Sequence, residues 1–126
     1  MIDDLPQTFS GAILSPCRKY RYALWRRWEP DAPYALFVGL NPSTADEYTD
    51  DPTIRRCKRF ASDWGYGGLC VANLFALRAT NPADMIAHSD PVGPDNNAWL
   101  EHLANSASVV ILALSLIHIS EPTRPY

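Results

Sequence analysis

Short apolar runs along this chain are separated by polar turns and by two stretches of helical spacing. Residues 11–15 (GAILS) and 20–28 (YRYALWRRW) have strand length and flank a turn at 16–19 that begins with Pro16, so they predict an N-terminal β-hairpin. Residues 34–40 (YALFVGL) are almost continuously apolar, the pattern of a strand covered on both faces. Asn41, Pro42 and Ser43 follow at once, where proline stops the ladder, and residues 44–51 read as a polar, acidic loop. A helix then begins with Asp51 as its cap and Pro52 in its first position, and ends at Gly65 just past Trp64. On it Ile54, Cys57, Ala61 and Trp64 recur at helical spacing and are expected to face the core. Arg55, Arg56, Lys58 and Arg59 fall mostly on the opposite side. Residues 69–75 (LCVANLF) predict a second buried strand, followed by a loop containing Thr80, Asn81 and Pro82. A second helix is expected over 95–105 with Trp99, Leu100 and Leu103 inward, and 109–114 (VVILAL) predicts the third core strand. Strand, helix, strand, helix, strand with short connections points to a three-layer α/β domain, its central sheet mainly parallel and preceded by the hairpin.

A chain of 126 residues suits one domain and not two. With 47% hydrophobic and 20% charged residues it has the composition of a globular fold, with enough surface to bury for a core that needs no staples. Its net charge of −3 advertises no global affinity for nucleic acid or membrane, although a local basic face is compatible with it. The acidic start MIDDLPQTFS lacks the pattern of a signal peptide. The longest apolar run, residues 109–117 interrupted by Ser115, falls short of the ~20 residues a membrane span needs. Cys17, Cys57 and Cys70 show no CxxC spacing, so neither a disulfide framework nor a zinc site is indicated; reduced thiols in a cytoplasmic protein are the plain reading. No cofactor is indicated.

The tail SLIHISEPTRPY (residues 115–126) resembles a translated sequencing-adapter sequence. On that reading the domain occupies residues 1–114, native sequence is truncated after Leu114, and His118, Glu121 and Arg124 have no role. The alternative is a genuine long strand followed by a proline-bearing coil.

Ligands of parallel α/β folds bind outside the carboxyl ends of the strands, where Asn41 closes one strand and Asn73 another. A side-chain amide offers acceptor and donors together, enough to hold a water or read the edge of a base. The helix start at Pro52 and Thr53 leaves backbone N–H groups that favour an anion, and Arg55, Arg56 and Arg59 sit on its first two turns. Arg78, beside Thr80, is a further phosphate-binding candidate. Asp46, Asp50 and Asp51 are the one cluster of hard ligands, more simply a solvated loop with a helix cap. His88 and His102 read as surface residues, and Trp25, Trp28, Trp64 and Trp99 as core or edge packing.

Residues 39–82, GLNPSTADEYTDDPTIRRCKRFASDWGYGGLCVANLFALRATNP, resemble the domain-of-unknown-function family 1643, and the resemblance runs from Tyr20 to Leu114. The family supplies no activity. GLNPS, at Gly39 to Ser43, is in turn similar to the first motif of the uracil-DNA glycosylase superfamily, which implies a glycosylase-like fold. That resemblance implies that Asn41 orients the water attacking the sugar carbon as a flipped base departs. VANLFALRAT, at residues 71–80, is similar to the superfamily's next strand end, which implies that Asn73 contacts the polar edge of that base, while Gly39, Pro42 and Ser43 complete the first motif. Ser43 stands where the superfamily has a glycine or an aromatic residue, and no aromatic is clearly placed to stack the base, Tyr48 being a guess. The superfamily's His-Pro segment would lie beyond Leu114, and its iron–sulfur ligands are not matched.

The first reading is therefore N-glycosidic hydrolysis on nucleic acid, with Arg55, Arg56, Arg59 and Arg78 holding phosphates. On it, Asn41→Ala abolishes base release and spares thermal stability. The alternative is a non-catalytic module that binds a nucleotide or another anion at the same strand ends. A metal-dependent hydrolase built on Asp46, Asp50 and Asp51 is a third reading. DNA or a nucleotide is the expected partner, and no membrane is.

Overall fold

The computed structural model describes residues 9–79 and 87–113. Residues 1–8, the loop read at Thr80, Asn81 and Pro82, and the tail from 114 onward lie outside the described residues. The elements are β1 (Ser10–Leu14), β2 (Arg21–Arg27), β3 (Ala35–Gly39), α1 (Pro52–Asp63), β4 (Gly68–Asn73), α2 (Asn96–Ser106) and β5 (Val109–Leu112). Each falls where the hydrophobic pattern puts it, with ends shifted by a residue or two. The strands form one sheet in the order β1-β2-β4-β3-β5.

The sheet is mixed, not mainly parallel. β3 pairs in parallel with β4 and with β5, whereas β2 runs antiparallel to both β1 and β4. The reason lies in β2, whose seven residues are all buried. A strand so thoroughly covered cannot stand at an edge, so the hairpin docks its second strand along β4 and leaves β1 outermost. Leu24 then faces Val71, and Trp25 faces Cys70.

One helix covers each face, giving three layers. On one face Leu24, Ala35, Phe37, Leu69 and Val71 pack against Ile54, Cys57 and Ala61 of α1. On the other, Ala23, Trp25, Leu36, Val38, Cys70 and Ala72 pack with Leu103 of α2, and Trp99 and Leu100 are partly buried against them. The start of α1 follows its sequence signals closely. The Asp51 side chain accepts the Ile54 amide at 2.9 Å, Pro52 occupies the first turn, and Gly65 follows the cap with φ +87°. Trp64 departs from expectation. It is the C-cap rather than a helical residue, and its ring stacks on Phe60 and Phe37 while remaining half exposed.

Two features of the topology shape the functional end of the molecule. Leaving β3 the chain goes to α1 on one face, and leaving β4 it leads to α2 on the other, so the exits of neighbouring strands part and open a crevice. The antiparallel β2 also brings its amino end to that same edge. There the register with β1 shifts between Ile13 and Leu14, so that Leu14 pairs with Arg21 where a regular ladder would give it Tyr22. A bulge of this kind re-aims side chains, and it turns Arg21 toward the α1 side.

Candidate functional site

At the carboxyl ends of β3 and β4 the ladder continues briefly into the loops, as the Leu74 amide donates to the Gly39 carbonyl and the Phe75 amide to that of Leu40. Beyond this point a cleft of about 640 Å³ opens. Its lining combines Arg18 and Lys19 from the hairpin turn, Ser43 and Thr44 from the loop after β3, Arg78 from the segment after β4, and His88. The cations come from segments tied together by the backbone. Tyr20 and Leu77 form an isolated β-bridge, the Arg78 amide donates to the Lys19 carbonyl at 2.8 Å, and Arg78 Nη1 donates to the Arg18 carbonyl at 3.3 Å. Arg18 forms an ion pair with Glu47 at 2.6 Å, and this contact draws Glu47 below the ordinary carboxylate range. No carboxylate of the described residues pairs with Lys19 or Arg78. His88 Nδ1 accepts the Asp90 amide at 3.1 Å, which leaves its Nε2 as the donor.

Behind the Thr44 wall sits Arg21, 3% exposed. Its Nη1 donates to the Ala45 carbonyl at 3.0 Å and its Nη2 to Asn73 Oδ1 at 3.3 Å, while Nε has no partner. Burial lowers its pKa to about 10, far enough above neutrality that the charge persists. A buried guanidinium with no carboxylate partner adds a positive potential behind the cleft. Arg26, also buried, is by contrast fully engaged. It donates to Asp50 Oδ1 at 2.8 Å and to the carbonyls of Trp25, Gly11, Asp46 and Thr49.

The residues expected from sequence divide into two groups. Ser43 and Arg78 line the cleft, and Gly39, Asn41 and Pro42 lie at its β3 end. Asn41 Nδ2 donates to the Ala79 carbonyl at 2.5 Å and to that of Pro42 at 3.2 Å, tying the β3 loop to the β4 loop. Asn73 is 2% exposed, its Oδ1 taken by Arg21 and its carbonyl by Asn96 Nδ2 at 2.8 Å. It belongs to the wall and not to the cleft surface. Arg55, Arg56 and Arg59 are not brought to the cleft, and the exposed Arg55 reaches only the Asp50 carbonyl. Nor is the start of α1 an open anion site. Proline lacks one donor, the Asp51 carboxylate takes the Ile54 amide, and its own negative charge stands where an anion would have to sit.

The three loop carboxylates are each occupied by donors. Asp46 accepts from the Tyr48 amide and from the amide and hydroxyl of Thr49, which holds its pKa at about 2. Asp50 is bound by Arg26 and Lys58, and Asp51 by the amides of Ala45 and Ile54. Among the described residues no group of three or more His, Cys, Asp or Glu side chains is arranged to hold a metal ion.

Arg18, Lys19 and Arg21 were not singled out by the sequence, and His88, expected only as a surface residue, is partly buried in the cleft lining. Arg21 carries the one legible signal, a charge inside a strand otherwise patterned for burial. A turn at the far end of the hairpin and a lone histidine carry none.

Fold and site together define a mixed α/β domain with a basic cleft at the carboxyl ends of its parallel strands. The chain belongs to the family described as Protein of unknown function (DUF1643), whose model matches residues 21–121 and so includes every cleft element from β2 onward. No curated protein and no solved structure matches the chain. Among the described residues no helix is long and apolar enough to cross a membrane.

Proposed function

We propose that the protein is a binding module for a phosphorylated nucleobase compound, held by its phosphate in the cleft between the hairpin turn and the loops after β3 and β4. One observation carries this reading. Arg18, Lys19 and Arg78 converge on a cleft flanked by the Ser43 and Thr44 hydroxyls, in a chain whose net charge is −3. Glu47 answers Arg18, but Lys19 and Arg78 pair with no carboxylate of the described residues, and neighbouring cations left so repel one another unless an anion shares the site. Arginine donors paired with hydroxyls are the ordinary chemistry of phosphate recognition. Thermal shift and equilibrium binding with nucleoside monophosphates test it. Binding is expected to raise the melting temperature and to weaken with salt, and Arg78→Ala is expected to reduce affinity roughly tenfold through loss of a charge-assisted contact. Absence of any nucleotide or oligonucleotide binding at low salt overturns the reading.

A second reading, N-glycosidic hydrolysis, draws support from Asn41. Both contacts of its Nδ2 are to carbonyls, and no described residue donates to its Oδ1, which is therefore an acceptor able to orient a water. Asn73, buried beneath Arg21, gives this reading no base contact. Release of free base from a uracil-containing strand by the wild type, and its loss in Asn41→Ala, would favour it over the module.

A further inference from the structure

The cleft is not the only basic concavity. A second groove of about 390 Å³ is lined by Phe9, Trp28, Tyr48, Arg27, Lys58 and Asp50, together with Arg26. The two grooves lie on either side of one loop, residues 44–50, with Thr44 lining the first and Tyr48 and Asp50 the second. The loop is pinned from both sides. Arg18 holds Glu47, and Arg26 holds the carbonyls of Asp46 and Thr49. At most about 14 Å of extended chain can separate Thr44 from Tyr48, so the grooves are near neighbours.

Their chemistry differs in a complementary way. The cleft offers cations and hydroxyls with little aromatic surface, whereas the second groove adds three aromatic rings. Tyr48 is 88% exposed and Phe9 68% exposed, each presenting a ring to solvent with no polar duty. The Tyr48 amide, not its side chain, makes the turn contact with Asp46. Basic side chains line the two grooves at Arg18, Lys19, Arg78, Arg26, Arg27 and Lys58; of these Arg18 is paired with Glu47 and Arg26 and Lys58 share Asp50, which leaves Lys19, Arg78 and Arg27 without a carboxylate partner among the described residues. Asp50 is itself neutralised by Arg26 and Lys58.

We infer that the two grooves form one track for a single-stranded nucleic acid. The strand enters with a phosphate in the cleft, crosses the 44–50 loop and lays a base on Tyr48 and the neighbouring aromatic groove. This deepens the reading of the cleft as a phosphate site and rests on it. A charged groove that follows the backbone, combined with exposed rings on which bases stack, is how single strands are held without reading their sequence. A rigid duplex keeps its bases stacked inside and cannot use the rings.

Fluorescence anisotropy with a thymidine mononucleotide, oligothymidylates of increasing length and a duplex tests the track. Affinity is expected to rise steeply from mononucleotide to short oligonucleotide and to be lower for duplex of equal length. Tyr48→Ala is expected to weaken oligonucleotide binding roughly tenfold or more while leaving mononucleotide binding unchanged, and Tyr48→Phe to retain the wild-type affinity. Arg78→Ala weakens both ligands. If oligonucleotides bind no more tightly than the mononucleotide, or Tyr48→Ala binds them as the wild type does, the track is overturned and the cleft reading stands. If the wild type binds neither ligand, both fall.

Discussion

Asn41 shows how one hydrogen-bond pattern changes what a residue is expected to do. Read from sequence, its truncation should spare stability. In the structure its Nδ2 joins the loops after β3 and β4 through the carbonyls of Ala79 and Pro42. Asn41→Ala is therefore expected to lower unfolding free energy by about 1 kcal/mol, measurable by denaturant titration, because the partly buried carbonyls lose a donor. An unchanged midpoint would mean that water replaces the amide. The three buried arginines of β2 make a related point. Arg26 is saturated by acceptors and serves the fold, whereas Arg21 and Arg27 each keep an unpartnered Nε, that of Arg21 beside the cleft wall. Such a charge is expensive to bury without a carboxylate partner.

The 44–50 loop is the element on which the proposed activity turns, and its order depends on a carboxylate. Asp46 closes a tight turn by accepting from Tyr48 and Thr49, which depresses its pKa to about 2 from an ordinary value of about 3.9. A depressed folded-state pKa stabilises the ionised, ordered form at higher pH. That contribution is fully present above about pH 4 and is lost as pH falls toward 2. The shifts of Glu47, toward Arg18, and of Asp50, held by Lys58 and Arg26 against its own burial, run in the same downward direction. Because Asp46 faces solvent, the expected result is local opening, not global unfolding. The protection of the Tyr48 and Thr49 amides against exchange should fall as pH drops across this window in the wild type, and Asp46→Asn should show low protection already at neutral pH. Protection that is flat with pH would refute the link. The polar run at 44–51 told only that a loop is there. Its turn is a local contact of Asp46 with Tyr48 and Thr49, but its anchoring by Arg18 and Arg26 depends on partners at least twenty residues away in sequence.

Over the whole molecule, the two helix-covered faces of the sheet each seal a thiol. Cys57 packs in the cluster beneath α1 and Cys70 in the cluster beneath α2, and burial pushes both thiols to about 12. Cys17 lies in the exposed hairpin turn, where the Ser15 hydroxyl and the Lys19 amide lower its pKa. At neutral pH a thiol reagent is expected to modify Cys17 alone in the folded protein, and Cys57 and Cys70 only at the rate of unfolding. Peptide mapping after native labelling checks this, and early modification of Cys57 or Cys70 would show that a face of the sheet is open.

The linear pattern was enough to locate the elements, because caps, proline stops and apolar periodicity are local effects that need no partner. Asp51 and Pro52 start α1, and Gly65 ends it, on such grounds. The same pattern could mark Asn41, Ser43 and Arg78 near one end of the sheet, since strand ends are local too. What folding alone decided is which strand lies beside which. The hairpin's docking on β4 made the sheet mixed, and the extra residue opposite Leu14 turned Arg21 to the cleft wall. Long-range packing also withdrew Asn73 into that wall, left Arg55, Arg56 and Arg59 away from the cleft, and gathered Arg18, Lys19 and His88 in their place. Side-chain direction follows from pairing register and from which surface must be covered, and neither is written in the order of residues along one strand.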